Sequence, residues 1–317
     1  MYNDALDHAA KKHTRKPLNQ HPLKFPEKYS SAFTLMRIPF SVYLMPVFWF
    51  ALSTLQHVVF WQAVIVFLIL HVLVYPASNG YNSYYDRDEG SIGGLKNPPK
   101  VNRQLMHLVL LFDALAILCS LLLSPLFAAL VALYLVISKA YSYEGIRLKK
   151  YPIASTFVVT FFQGAFTYAM VQVGAGLSWH LVLAQPNIWF ALVSTLFLCG
   201  SYPLTQIYQH TEDSRRGDRT LSLLLGINGT YLFAALSLLT GSGLLLWLYF
   251  STHQVQNIIV FLVCTAPVLY FFTGWVLRAQ KDAGEVNYEN TMLMNKISSL
   301  CISAAFLLMI ALKMWQT

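Results

Sequence analysis

The sequence predicts an all-α membrane protein with about nine transmembrane helices around a central cavity. Three observations support this prediction: 56% of the 317 residues are hydrophobic and only 11% are charged, long apolar runs recur along the chain, and Lys and Arg alternate between the connecting segments. Because a typical soluble domain has roughly 25% charged residues, the composition excludes an ordinary water-soluble fold.

Each apolar run is long enough for one helical crossing, which takes about 20 residues. The first run contains Pro39 and Pro46 and the sixth contains Pro203, so we expect those helices to bend. In chain order, the runs lie near residues 33–54, 58–79, 104–123, 125–142, 153–175, 187–207, 228–250, 256–277 and 293–315.

Basic residues distinguish the two ends of these helices. They concentrate in the amino-terminal tail and after the second, fourth, sixth and eighth runs, and only Lys313 breaks the alternation. Because Lys and Arg mark the retained side of a membrane, we expect a cytosolic tail over 1–30 and a multi-pass domain over 31–317 with cytosolic motif loops, in a bacterial cytoplasmic membrane. This sorting explains the net charge of +8, so no nucleic-acid partner is expected.

Two polar segments with the same spacing follow the second and sixth runs. Residues 79–90 read NGYNSYYDRDEG, and residues 206–217 read QIYQHTEDSRRG. Each has two amides three residues apart, then an aspartate and a glycine at intervals of four, and the copies are offset by 127 residues. Such positions share one face of a helix. The repeat predicts two related halves whose helix ends face one another across the cavity.

These segments carry the oxygen ligands that Mg²⁺ prefers when a substrate phosphate completes its coordination. The carboxylates are Asp86, Asp88, Glu89, Glu212 and Asp213. Basic side chains suited to anionic oxygens lie close by in the sequence, at Arg87, Lys96, Arg147, Lys149, Arg215 and Arg219. The alternative interpretation is a set of ordinary solvated loop charges, which the duplicated spacing disfavours.

The chain resembles the UbiA superfamily of intramembrane prenyltransferases in four segments. Asn82 and Asp86 match the family's N-x-x-x-D-x-x-x-D motif, in which Gly90 replaces the last aspartate. The second motif, D-x-x-x-D, keeps Asp213 but begins with Gln209. The strings YSYEGIRLK at 141–149 and GDRTLSLLLG at 217–226 are similar to two further family segments.

The resemblance implies Mg²⁺-dependent transfer of a prenyl group from an isoprenyl diphosphate to an aromatic, quinone-precursor or lipid-like acceptor. It implies that metal is held by Asn82, Asp86, Asp88, Glu89, Gln209, Glu212 and Asp213. It implies that diphosphate is bound by Arg37, Arg87, Lys96, Arg147 and Lys149. Aromatic side chains such as Tyr202 and Tyr208 are candidates for stabilising the allylic cation. The expected partners are therefore an isoprenyl diphosphate, a hydrophobic acceptor and the lipid bilayer.

The catalytic candidates are Asp86, Asp213 and Asp113. Asp113 lies inside the third run, where an unpaired carboxylate facing lipid costs on the order of 3 kcal/mol, so we expect it to face the interior. There it would orient an acceptor, stabilise a cation or serve as a hydrogen-bonded packing residue. Two other functions stay open: an intramembrane terpene cyclase, and a non-catalytic relative whose motifs have changed at Ser83 and Gln209.

Overall fold

The computed structural model describes residues 27–316, and nine helices in that part are long and apolar enough to cross a bilayer. The predicted all-α, nine-span architecture is confirmed. Most of the predicted tail lies outside the described residues. The helices are α1 (Lys28–Ser53), α2 (Phe60–Asp86), α3 (Arg103–Leu121), α4 (Pro125–Ser142), α5 (Pro152–Gly174), α6 (Asn187–Arg216), α7 (Leu221–Ser251), α8 (Val255–Lys281) and α9 (Tyr288–Gln316).

Proline interrupts the first of these helices. Its opening segment, Glu27–Met36, ends at Arg37, which has a left-handed backbone with φ of 50°. A 3-10 segment over Ile38–Leu44 follows, and a second α-helical segment covers Met45–Ser53. Pro39 and Pro46 each lie in the first turn of the new segment, where proline is tolerated because its missing N–H has no helical partner. The first half of α1 is therefore offset from the second.

Four other spans change their helical geometry, among them α7, in which Gly226 has a non-helical backbone with φ of 68°. α2 contains a π segment over Ile69–Val74, and α5 contains one over Phe162–Phe166. α6 leaves its regular course after Leu204, passes through a 3-10 turn over Ile207–Gln209, and ends in the short helix His210–Arg216. Each irregular segment departs from α-helical geometry, so the helix bends there. The polar segments at the ends of α2 and α6 therefore lie off the axes of the helices that lead to them.

The nine helices close into a ring in chain order, because α9 packs against α1 as well as α8. The Ser299 hydroxyl donates to the Val42 carbonyl at 2.5 Å. The Lys313 ammonium donates to the carbonyls of Ser53 and Leu55 at 2.6 and 2.9 Å. Lys313, the exception to the charge alternation, thus caps the carboxyl end of α1, where a cation is favourable.

The outward faces of the bundle are apolar. Large side chains such as Phe60, Trp247 and Tyr270 are exposed there, whereas Phe48, Phe50 and Trp275 are buried inside. Exposed apolar surface on this scale requires a nonaqueous environment. The chain is therefore an integral, multi-pass membrane protein. We call the end of the bundle where α2 and α6 finish the motif end.

Candidate active site

The two polar segments meet at the motif end. The Gln209 amide of α6 donates to the Ser91 carbonyl, just after α2, at 3.0 Å. Arg216 joins the halves a second time, since its guanidinium pairs with Asp88 and with Glu212, the latter at 2.7 Å. Gln209, Glu212, Asp88 and their neighbours are therefore brought together although 127 residues separate the two copies of the repeat.

Gly90 of the first segment lies against Glu212 of the second. A Cβ atom built at Gly90 would collide with the carboxylate oxygen of Glu212. The carboxylate of the second segment thus occupies the space that a side chain at position 90 would need. The absence of a side chain in the first segment is matched by an acidic side chain from the second.

The segment between α4 and α5 adds the main basic groups. Arg147, whose φ of 44° turns the chain back, donates from Nε and Nη2 to the two carboxylate oxygens of Asp218 at 3.2 and 3.1 Å. The Lys149 ammonium pairs with Asp86 and lies 3.3 Å from an oxygen of Asp218. The side chains of Lys149, Asp86 and Asp218 are only 10%, 9% and 4% exposed, so these charges are held out of bulk water.

Asp213 and Asn82 complete the inward-facing polar groups. Asp213 accepts a long hydrogen bond of 3.4 Å from the Thr220 hydroxyl. The Asn82 amide donates to the Ser142 hydroxyl at 2.8 Å. Both partners are neutral, so the Asp213 carboxylate has a weaker hold in this arrangement than Asp86, which pairs with Lys149.

The segment after α2 folds across the motif end as a cover. Arg37 donates to the carbonyls of Gly93 and Asn79 at 3.0 and 3.3 Å. Gly93 and Gly94 lie so close to the ring of Phe40 that a Cβ atom at either position would collide with it. Arg37, Phe40 and the two glycines therefore attach the cover to the break in α1.

Three cavities are lined in succession by residues that they share. The outer cavity, of about 630 Å³, lies at the motif end and includes Arg87, Glu89 and Arg215. Tyr208 and Gln209 line both the outer cavity and a middle cavity of about 250 Å³. The middle cavity shares Phe40, Asn79, Gln163, Tyr202 and Thr205 with a deep chamber of about 260 Å³.

The cavities change in character with depth. Charged residues surround the outer cavity, whereas the deep chamber is lined by residues such as Val47, Phe50, Leu238 and Phe306. Among the described residues that line the deep chamber there is no Asp, Glu, Lys or Arg. The three cavities therefore follow one another from a charged mouth to an apolar interior, with wall residues in common at each boundary.

The donors at the motif end have the chemistry of a magnesium and phosphate site, because they combine carboxylate oxygens with Lys and Arg. Within residues 27–316, no three His, Cys, Asp or Glu side chains converge on one point as a ready-made metal centre. Lys149 and Arg216 stand between the carboxylates instead. The arrangement is suited to bind a metal together with an anionic ligand that draws the basic groups away from Asp86 and Asp88.

A family model places the chain among known proteins. The model for the UbiA prenyltransferase family matches residues 43–297. The chain belongs to the UbiA prenyltransferase family. No curated protein matches the sequence, so the family model and the solved structures provide the comparisons.

Solved structures show the same UbiA fold at low sequence identity. A UbiA homologue from Archaeoglobus fulgidus bound to DMAPP and Mg²⁺ is 16% identical, with a TM-score of 0.63 over 88% of this chain and 99% of that one. The homologue from the same organism bound to GPP and Mg²⁺ is 15% identical, with a TM-score of 0.62 over 88% of this chain and 99% of that one. A structure of digeranylgeranylglyceryl phosphate synthase is 16% identical, with a TM-score of 0.57 over 90% of this chain and 98% of that one.

Two of the residues predicted for the site contact other partners. Lys96 forms an exposed ion pair with Glu289 at the start of α9. Asp113 faces the interior and pairs with Lys139 of α4 at 2.6 Å. Neither residue lines the outer, middle or deep cavity, and neither pairs with a residue of the two polar segments. Five other predicted site residues also lie outside the cavity walls: Asp86, Asp88, Asp213, Arg147 and Lys149. Roles in diphosphate binding for Lys96 and in catalysis for Asp113 stay predictions, without a contact in the site.

The structure also adds two residues that the sequence does not single out. Asp218 receives both Arg147 and Lys149, and Arg216 bridges Asp88 and Glu212. Arg216 follows Glu212 by four residues on a short helix, a spacing that predicts an ion pair. The sequence gives a weaker indication that Asp218 belongs to the site: it follows Gly217 directly within the family-like string at 217–226.

Proposed function

We propose that this chain catalyses Mg²⁺-dependent transfer of a prenyl group from an isoprenyl diphosphate to a hydrophobic acceptor within the membrane. The acceptor class is an aromatic ring, a quinone precursor or a lipid-like nucleophile. Membership of the UbiA prenyltransferase family supports the reaction type. The solved homologues bound to DMAPP or GPP with Mg²⁺ support the donor and the cofactor.

The succession of a charged outer cavity, a middle cavity and an apolar deep chamber that share wall residues is the observation that carries the proposal. Tyr208 and Gln209 line both the outer and the middle cavity, and Phe40 and Tyr202 line both the middle cavity and the deep chamber. A ligand that uses the whole path has an anionic head and a long apolar tail. An isoprenyl diphosphate has both parts.

The basic side chains at the motif end bind the diphosphate in this proposal. Lys149 and Arg147 are held by Asp86 and Asp218, and Arg37 lines the middle cavity beneath them. Turning toward phosphate oxygens, these groups form charge-assisted hydrogen bonds that strengthen as negative charge develops on the leaving group. The family-like segment at 141–149 thus supplies cations to the site.

The same residues fit magnesium in their donor chemistry. Asp86 and Asp213 come from opposite halves, and Glu212 occupies the space beside Gly90. Carboxylate oxygens together with water and a substrate phosphate are the ligands that Mg²⁺ prefers. When bound, Mg²⁺ neutralises charge on the departing diphosphate. Asp86, Asp88 and Glu212 would hold the metal, and Lys149 and Arg216, which now pair with them, would bind the phosphates.

The deep chamber protects the allylic cation that remains after the diphosphate leaves. Its walls carry no Asp, Glu, Lys or Arg, and the rings of Phe40, Tyr43 and Tyr202 line it. Aromatic faces stabilise a cation, and exclusion of water prevents its quenching. The acceptor then forms a bond to the allylic carbon and loses a proton. In this proposal the motif end faces the cytosol, as the alternation of basic residues predicts.

Product analysis tests the proposal directly. The purified chain in detergent is incubated with C10 to C20 isoprenyl diphosphates, Mg²⁺ and candidate acceptors, and both diphosphate release and lipid-soluble products are measured. Asp86→Asn and Asp213→Asn each remove one carboxylate charge without changing the size of the side chain. We expect release to fall at least about 100-fold in each variant, as for loss of a preorganised electrostatic group.

Asp282→Asn is the matched control, because Asp282 is exposed at the motif end but lies between α8 and α9. Its release rate should equal that of the wild type. Near-normal, Mg²⁺-dependent release in both site variants would contradict the site. Release without any acceptor-dependent product would favour the terpene cyclase, and no release from the wild type with any donor would favour the non-catalytic relative.

A further inference from the structure

The deep chamber has a defined far end. Its lining positions run from Phe40 to Phe50 along α1 and from Met294 to Phe306 along α9. Because both helices begin at the motif end, Phe50 and Phe306 are their lining residues farthest from the site. Their rings stack, with centroids 4.5 Å apart and planes 21° apart. The two side chains meet across the chamber and close it.

A second aromatic layer lies behind this stacked pair. Phe50 contacts the ring of Tyr168 at 5.3 Å and the edge of Phe190 at 5.9 Å, measured between centroids. Tyr168 and Phe190 are buried and do not line the chamber. Phe50 and Phe306 are each 1% exposed. Close packing on this side leaves the pair no space into which to retreat.

A buried polar network holds the second layer in position. The Tyr168 hydroxyl is 2.6 Å from that of Thr54 and donates to the Asn187 side-chain oxygen at 2.8 Å. Gln172 donates to the Tyr168 hydroxyl at 3.1 Å and accepts from Asn187 at 2.6 Å. A buried network whose members satisfy one another makes the core rigid. The end of the chamber is therefore fixed rather than adaptable.

The geometry points to Phe50 and Phe306 as the residues that set the longest isoprenyl chain the chamber accepts. This inference rests on the proposed function. With its diphosphate at the motif end, the isoprenyl chain extends toward the stacked rings. The 11 helical steps from Asn295 to Phe306 give a depth of about 16 Å. Each isoprene unit adds apolar contact until the tip meets the rings. A further unit finds no space.

Binding of uncleavable substrate analogues tests this without knowledge of the acceptor. The probes are the dimethylallyl, geranyl, farnesyl and geranylgeranyl S-thiolodiphosphates, titrated calorimetrically into the full chain in detergent with Mg²⁺. For the wild type we expect Kd to fall with each added unit up to one length, and then to stop falling. We call that length the break.

Two substitutions should move the break in opposite directions. Phe306→Ala should move it to a chain one unit longer and tighten binding of that longer analogue at least about tenfold. Ile302→Phe, one turn nearer the motif end on the same face of α9, should move it to a shorter chain. Phe50→Leu should also move the break to a longer chain, and it replaces Phe306→Ala in the test if that variant does not fold.

Phe48→Ala is the matched control, because it removes a buried ring of the same size that does not line the chamber and whose ring contacts are with Trp49, Phe67 and His71 rather than with the pair. Its break should not move. The inference would be overturned if the break stayed in place in Ile302→Phe and in either Phe306→Ala or Phe50→Leu while the dimethylallyl analogue still bound normally. That result would leave the proposed function intact. If no analogue binds to the wild type with Mg²⁺, the proposed function fails and this inference fails with it.

Discussion

Gly90 and Glu212 form a pair in which a glycine of one half makes room for a carboxylate of the other. Any side chain at position 90 collides with Glu212 as it now lies. The carboxylate end of a Glu side chain is flexible, so a clash there displaces it at little cost in stability. The displacement nevertheless removes the carboxylate from its place beside Arg216 and the site.

We therefore expect Gly90→Asp alone to fold but to bind Mg²⁺ more weakly, because two like charges would compete for one space. Glu212→Ala should also weaken binding, since it leaves the space without a carboxylate. The double variant Gly90→Asp, Glu212→Ala returns one carboxylate to that space from the opposite half. Its Mg²⁺ affinity should exceed that of either single variant, by about tenfold.

The measurement is the Mg²⁺ dependence of thermal stability in the presence of an uncleavable diphosphate, with Mg²⁺-dependent diphosphate release as a second readout. Thr211→Ala, beside Glu212 on the same short helix, is the control and should leave the metal dependence unchanged. A double variant no better than the weaker single variant would show that Gly90 and Glu212 do not share one role.

The sequence predicts which residues belong to the site better than it predicts which of them contact one another. Repeated spacing predicts that Asp86 and Asp213 belong to one site, and the structure brings their segments together. The pairing of Lys149 with Asp86 and Asp218 depends on where the segment between α4 and α5 folds back. No local sequence rule specifies that return, so a partner of this kind becomes visible only in three dimensions.

At the scale of elements, an intramembrane ion pair joins α3 to α4. Asp113 lies 2.6 Å from Lys139, with side-chain exposures of 13% and 23%, and the Lys139 ammonium also lies over the ring of Tyr81. Removing one member of such a pair leaves a buried charge without compensation. Lys139→Met or Asp113→Leu alone should destabilise the protein by about 3 kcal/mol.

The double variant Asp113→Leu, Lys139→Met should recover most of this loss, because two apolar side chains leave no buried charge. Unfolding in detergent mixtures measures stability, and diphosphate release measures function. We expect release by the double variant to stay within about twofold of the wild type, which would assign Asp113 to packing. A loss of release of order 100-fold in a stably folded double variant would instead support a catalytic Asp113.

Helix positions were more predictable than helix irregularities. The apolar runs predict all nine spans because each run must fill the hydrocarbon thickness. Pro39 and Pro46 signal the break in α1. The π segment at Phe162–Phe166 has no proline, and it packs against Thr195 of α6, whose backbone lies close to Gly164. Such a contact involves a second helix, so it leaves no periodic signal within α5.

At the scale of the whole molecule, the fold requires the segments after α2 and α8 to share one side of the membrane and the segment after α5 to occupy the other. We predict cytosolic positions for the first two. In a background without the four native cysteines, Asn97→Cys and Ala283→Cys should react with a membrane-impermeant maleimide only after cells are permeabilised. His180→Cys should react in intact cells.

Asn97, Ala283 and His180 are all exposed in the structure, so burial does not protect any of the three. Equal labelling of positions 97 and 180 in intact cells would contradict the nine-span arrangement. Labelling of positions 97 and 283 but not 180 would keep the arrangement and reverse its orientation in the membrane.

The closure of the ring by α9 determines when the protein becomes an enzyme during its synthesis. Of the nine helices, α1 leaves the ribosome first and α9 last, yet Lys313 and Ser299 of α9 complete the bonds to α1. Phe306 of α9 also forms part of the chamber wall. A nascent chain that stops before α9 has an open furrow facing lipid instead of a chamber. If the proposed function holds, we expect a chain truncated before α9 to release no diphosphate from a prenyl donor.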